Sequence, residues 1–172
     1  AFFANAEHVF WISPPSGRKD SSRIDHPAGW FQRLDRDPRV LAYSPQIQAQ
    51  VLITRGKSSL AGRLIGSDPN RQSRVTNIRQ YMKQGDFLAL GAGGNRLIAG
   101  DGLLNKLGAR VGESLSIAVG KGDSVLFRVV GSFHLRVATI DNTTAFASLS
   151  DVQNVNQTPS QISDIAIRLT DV

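Results

Sequence analysis

The chain has 172 residues, 41% hydrophobic and 20% charged, with a formal net charge of +6; this is a globular composition, long enough for one domain or two small lobes, and not a disordered one. It contains no cysteine, which excludes disulfides, thiol catalysis and thiolate metal sites. No stretch of about 18 apolar residues occurs, so nothing here reads as a membrane-spanning helix.

The chain opens on Ala1-Phe2-Phe3-Ala4. No basic-then-apolar leader is present, as expected of a processed product or of a segment cut from a longer protein. Residues 8–13, rich in aromatic and β-branched side chains, predict a strand stopped by Pro14-Pro15. A polar loop follows. Asp25 and His26 at the cap and Pro27 at the first turn predict a helix to Arg36, ended by Asp37-Pro38. From Gln46 to Val51 polar and apolar residues alternate, the period of a half-buried strand. A turn at 56–59 and a returning strand at 60–66 complete a hairpin, and residues 67–70 break the chain.

A short helix is expected within 75–82, turns at 85–86 and 91–95, and a buried strand at 96–99. Leu103, Leu104 and Leu107 share a helical face, with Asp101 as N-cap and Gly108 just past the end. Residues 114–119 alternate strictly and pair with 124–130 across Gly120-Lys121-Gly122-Asp123, the clearest hairpin in the chain. A strand at 145–149, a capping box of Ser150 and Gln153, and a last strand at 162–169 close the sequence. Strands and short helices alternate irregularly, so the class is α+β. Trp11, Trp30, Phe31 and Phe127 are expected in the core.

Groups that carry catalysis are scarce. His8, His26 and His134 lie at no metal-ligand spacing from one another, so each is read as structural and no metal is expected. Gly56-Lys57-Ser58 ends like a phosphate-binding loop, but Val51 stands where its first glycine belongs and two strands flank it. Arg96 occupies the third-glycine place of a dinucleotide fingerprint at 91–96. No Gly-x-Ser-x-Gly elbow exists. The basic residues are scattered, without the tight run and interleaved aromatics of a nucleic-acid site. The expectation is a non-enzyme with no cofactor and no nucleic-acid partner.

The stretch from 96 to 153 reads Arg96-Leu97-Ile98-Ala99-Gly100, then Leu103-Leu104-Asn105-Lys106-Leu107-Gly108, then Val111-Gly112-Glu113; after the hairpin come Phe127-Arg128-Val129-Val130-Gly131-Ser132-Phe133, Asp141, and Asp151-Val152-Gln153. It resembles the MacB-like periplasmic core domain of ABC-transporter permeases, the MacB, LolC–LolE and FtsX-like superfamily. Glu113 stands where that pattern has Asp, and Leu103-Leu104-Asn105 replaces its Leu-Ala start. The resemblance implies a two-lobed α+β fold. Residues 1–70 and 157–172 would form a porter-like, βαβ-containing lobe, and 71–156 an inserted second lobe.

The resemblance further implies an inner-membrane parent with this domain in the periplasm. Its partners would be a cytoplasmic ABC ATPase subunit, a second permease copy or paralogue, and a periplasmic carrier or adaptor protein. Its work would be lipoprotein release or the export of lipid, peptide or drug. Lipoprotein-releasing relatives often carry a long, proline-bearing hook between the hairpin strands; here that connection is only Gly120-Lys121-Gly122-Asp123. These four residues, with Arg136 and Asp141, are the candidate partner-facing positions. The competing readings are a free-standing periplasmic adaptor or binding module and a hydrolase whose site goes unrecognised.

Overall fold

The computed structural model describes residues 9–12 (main chain), 23–24 and 26–170. In chain order the elements are β1 (Val9–Ile12), α1 (Ala28–Arg36), β2 (Val40–Arg55), β3 (Ser58–Ser67), α2 (Pro69–Val75), β4 (Met82–Gln84), β5 (Arg96–Gly100), α3 (Asp101–Leu107), β6 (Ser114–Val119), β7 (Val125–Phe133), α4 (Ala138–Asp141), β8 (Thr144–Ser148), α5 (Leu149–Val155) and β9 (Asp164–Leu169). Two 3-10 turns, Ile78–Tyr81 and Phe87–Ala92, flank β4. The α+β class expected from the sequence is the class observed.

The strands form one mixed sheet in the order β1-β9-β2-β3-β8-β5-β7-β4, and β6 pairs with both β2 and β7. That double pairing closes a ring, β2-β3-β8-β5-β7-β6 and back to β2. Closure is possible because β2 is 16 residues long. Its first half pairs β9, from Val40 to Gln46, and its second half pairs β6, from Val51 to Thr54. Closing a sheet on itself removes exposed strand edges.

Alternate residues of the ring point inward. Ile47, Ala49, Val51 and Ile53 of β2 meet Leu64, Leu97, Ala99, Leu115, Ile117, Phe127, Val129, Ala145 and Ala147, with Leu103, Leu104 and Leu107 of α3 and Val152 of α5 packed onto the same core. A second cluster lies on the other face of β3, β8, β5 and β7, where Phe146 packs edge-on against Phe87 and Phe133 at centroid distances of 5.6 and 5.4 Å. A third joins Tyr43 to Ile162, Ile165 and Ile167, with Phe31 and Leu34 of α1 laid against it. The lobe boundary expected at 70/71 falls inside α2, and the ring takes strands from both sides of it.

Several local expectations change. The turn between β2 and β3 is two residues, Gly56-Lys57, because pairing runs to Arg55↔Ser58. The break at 67–70 is the start of α2, whose first two free amides, of Asn70 and Arg71, are capped by the Asp68 carboxylate. Residues 75–82 hold only a single 3-10 turn before β4. Asp101 is the first residue of α3, and Gly100 stands at its cap. The cap of α5 is Ser148, whose hydroxyl accepts the Asp151 N–H, and not Ser150. Phe127 is fully buried, but Trp30 is 43% exposed. Trp30 and Phe31 are neighbours about 100° apart on a helix, so only one can face the sheet. Phe31 takes that place, stacked on Tyr43 at 5.5 Å, while Trp30 lies under the Arg33 guanidinium. The side chain of Trp11 lies outside the described residues.

Candidate functional site

The residues expected to face a partner do not form one patch. Gly120, Lys121, Gly122 and Asp123 make the exposed tip joining β6 to β7, with Gly120 at φ +57° and the Gly122 N–H donating to the Val119 carbonyl at 3.0 Å. Arg136 and Asp141 follow the far end of β7. The strand between is nine residues, about 30 Å at about 3.3 Å per residue, so tip and loop sit at opposite ends of the ring.

Arg136 is exposed and holds a left-handed φ of 63°, a conformation that needs support in a residue with a Cβ. The support is its neighbour: the Leu135 N–H donates to Asp141 Oδ1 at 2.7 Å. Asp141 itself is 4% exposed. Its carboxylate is turned into the protein as a brace for the loop, so it does not share the surface position of Arg136.

Beside the tip lies a surface that sequence reasoning missed. Residues opposite each other in adjacent strands point to the same side. Leu52 of β2 is opposite Ala118 of β6, and Ser116 of β6 is opposite Leu126 of β7. All four turn away from the ring core. Leu52 is 48% and Leu126 65% exposed, a strip of the outer face on which two large apolar side chains are separated by Ala118 and Ser116 of β6. The signal was present in the sequence: at Leu52 the polar–apolar alternation of 46–51 breaks, and an apolar residue takes an outward place.

The acidic residues of the 96–153 motif act as braces. Glu113 accepts from Arg55 Nε and Nη2, both at 3.1 Å, and from the Arg110 N–H at 2.9 Å. The Arg110 amide and then the Arg55 guanidinium hold its carboxyl below the usual range. Asp151 accepts the Asn95 N–H at 3.1 Å. Glu113 in place of the shorter acid reaches across to Arg55 on β2, tying the start of β6 to the end of its neighbour.

The structure also unites residues far apart in sequence. His134 Nδ1 is 3.0 Å from both carboxylate oxygens of Asp101 and 3.4 Å from Asp141 Oδ2. Lys83 Nζ is 3.0 Å from Asp101 Oδ2. Burial opposes ionisation of Asp101, but the hydrogen bonds from His134 and Lys83 outweigh it and lower its pKa. Sequence spacing gave no sign of this group, because β5 and β7 are parallel neighbours joined by a long crossover.

No protein-family model matches the chain. The chain is 24% identical over 145 residues to the lipoprotein-releasing system transmembrane protein LolC of Xylella fastidiosa, covering 79% of this chain and 35% of that protein. It is 24% identical over 141 residues to LolC of Neisseria meningitidis serogroup B, covering 77% and 34%. The chain thus spans about a third of the length of the curated relatives it matches. Among solved structures it is similar to the periplasmic region of MacB from Actinobacillus actinomycetemcomitans, with a TM-score of 0.69 and 14% identity over 99% of this chain and 80% of that one. It is also similar to the extracellular domain of the noncanonic ABC-type transporter YknZ from Gram-positive bacteria, at a TM-score of 0.65 and 10% identity over 96% and 83%. The ring, the helices and the motif residues together give the chain a MacB-type fold, and in sequence and structure it resembles the extracytoplasmic domains of MacB/LolC-like ABC permeases.

Proposed function

We propose that this chain is the extracytoplasmic domain of an ABC-transporter permease that couples ATP hydrolysis in a cytoplasmic subunit to lipoprotein release outside the inner membrane. One geometric observation carries the reading. The start of β1 pairs with the end of β9, Val9 opposite Arg168, so both ends of the described chain leave the sheet about 5 Å apart. A domain inserted between two adjacent membrane helices needs this arrangement, and a push on either helix is then delivered to the same corner. The similarity to LolC over about four-fifths of the chain supports the lipoprotein branch.

In this reading the domain is not catalytic and works beside a second permease copy or paralogue. A periplasmic carrier docks on the Leu52–Leu126 strip and the 120–123 tip, and Arg136 faces a second contact at the other end of the ring. The shortness of the 120–123 connection favours a second reading, an exporter that recruits an adaptor instead. The test is to purify the full-length gene product from membranes after crosslinking, and to measure lipoprotein release from cells depleted of it. Recovery of an ABC ATPase subunit with a release defect is expected. An ATPase partner with normal lipoprotein release moves the protein to the exporter reading. A product that leaves the membrane fraction without an ATPase overturns the permease assignment.

A further inference from the structure

We propose that Asp101, His134 and Asp141 form a binding site for one divalent transition-metal cation of the Zn2+ class, at the carboxyl ends of β5 and β7. The argument begins with topology. β5 and β7 are parallel neighbours with Gly100 opposite Phe133, so the next residue of each strand, Asp101 and His134, emerges side by side.

The third residue is brought in by the lack of two side chains. A Cβ on Gly100 would run into the Asp141 carbonyl, and one on Gly102 into the Asn142 side chain. The start of α3 therefore rests directly on the end of α4, which sets Asp141 beside Asp101. Asp141 is nearly fully buried, and Leu135 occupies its Oδ1, which leaves Oδ2 facing His134.

The spacing suits coordination. The three donor atoms lie within 4.8 Å of one another, and the distances from His134 Nδ1 are 3.0 and 3.4 Å. Ligands held at about 2.0–2.2 Å around a tetrahedral ion stand about 3.3 Å apart, so a cation enters with small adjustments. A single Nδ1–H cannot serve oxygens of two carboxylates at full strength. One nitrogen and carboxylate oxygens without sulfur match borderline divalent ions and not soft monovalent copper. A cleft lined by Lys83, Gln84, Asn105, Arg110 and Ser132 reaches Asp101, and His134 is itself exposed, so the cluster is open to solvent on that side. Lys83 is exposed enough to swing off Asp101 as the ion arrives.

This inference is independent of the transport reading, and so is its test. Zn2+ is titrated calorimetrically into the 172-residue chain at pH 7, and Co2+ is added to read its visible d–d absorption. Expected are one Zn2+ per chain and a Co2+ spectrum of low-symmetry nitrogen–oxygen coordination. His134→Ala, at an exposed position, and Asp101→Asn each weaken Zn2+ binding by at least about tenfold, while His26→Ala leaves it unchanged. Lys83→Met tightens it by removing a competing charge. No saturable Zn2+ binding, or binding that survives His134→Ala unchanged, overturns the site and leaves the three residues as a hydrogen-bonded brace.

Discussion

At the scale of single residues, the motif positions owe their identity to contacts across the fold. Glu113 is ionised against Arg55 and the Arg110 amide, and its folded pKa lies below the ordinary glutamate value. A carboxyl whose pKa is depressed on folding adds stability above its unfolded pKa of about 4.3, and that stability is lost as pH falls through the folded value. Glu113→Gln therefore lowers the urea midpoint at pH 7, and the gap from the parent closes toward pH 3. A gap that stays constant with pH counts against the ion pair. Gly100 is fixed by space, since its α-carbon lies against the Asp141 main chain. Gly108 is fixed by conformation, at φ +63° at the end of α3.

At the scale of elements, α2 shows how a polar side chain can dock a helix. Gln72, fully buried on α2, accepts from Gln46 Nε2 of β2 at 2.6 Å. Replacing Gln72 with Leu leaves Gln46 Nε2 buried without its partner, as Gln46 Oε1 already is, but also removes the unpartnered Gln72 Nε2, so the loss, read as a lower unfolding midpoint, is at most about 1–3 kcal/mol. The paired change Gln46→Leu with Gln72→Leu restores much of it. The sequence did not announce α2, because its seven residues carry no apolar period; its signals are a proline at the first position and a capping aspartate. The hairpin β6–β7 is the opposite case. Alternation specifies it locally and the hairpin formed, but its pairing ends at Ile117↔Val125, so residues 118–124 connect the strands in place of the tight 120–123 turn, and Ala118 and Val119 pair β2 instead. What local pattern could not say is that β6 also pairs β2, which puts the outward Leu52 and Leu126 on one face, with Ala118 and Ser116 of β6 between them. Leu52→Asp with Leu126→Asp is expected to leave the melting temperature within about 2 °C, since both sites are outside the core. The same pair should reduce carrier recovery in crosslinking. A large loss of stability would show instead that the strip packs within the domain.

At the scale of the molecule, the closed ring joins strands from residues 40–67 and 96–148 around a common core. Elements that share a core unfold together, so circular dichroism and hydrogen exchange of β2, β6 and β8 are expected to report one transition. Separate transitions would show that the core is divided. The sequence by itself determined the α+β class, most strands, the helix at 28–36, the αL glycine after α3 and the resemblance to MacB/LolC-like domains, because these rest on short-range period, turn chemistry and motif order. The remainder depended on contacts between distant segments. Long-range pairing placed β6 between β2 and β7, turned Asp141 inward, left Trp30 outside, and set Asp101, His134 and Asp141 within coordination reach. The physical reason is that burial and charge partnership belong to neighbours in space, and a strand's period names a face without naming what lies against it.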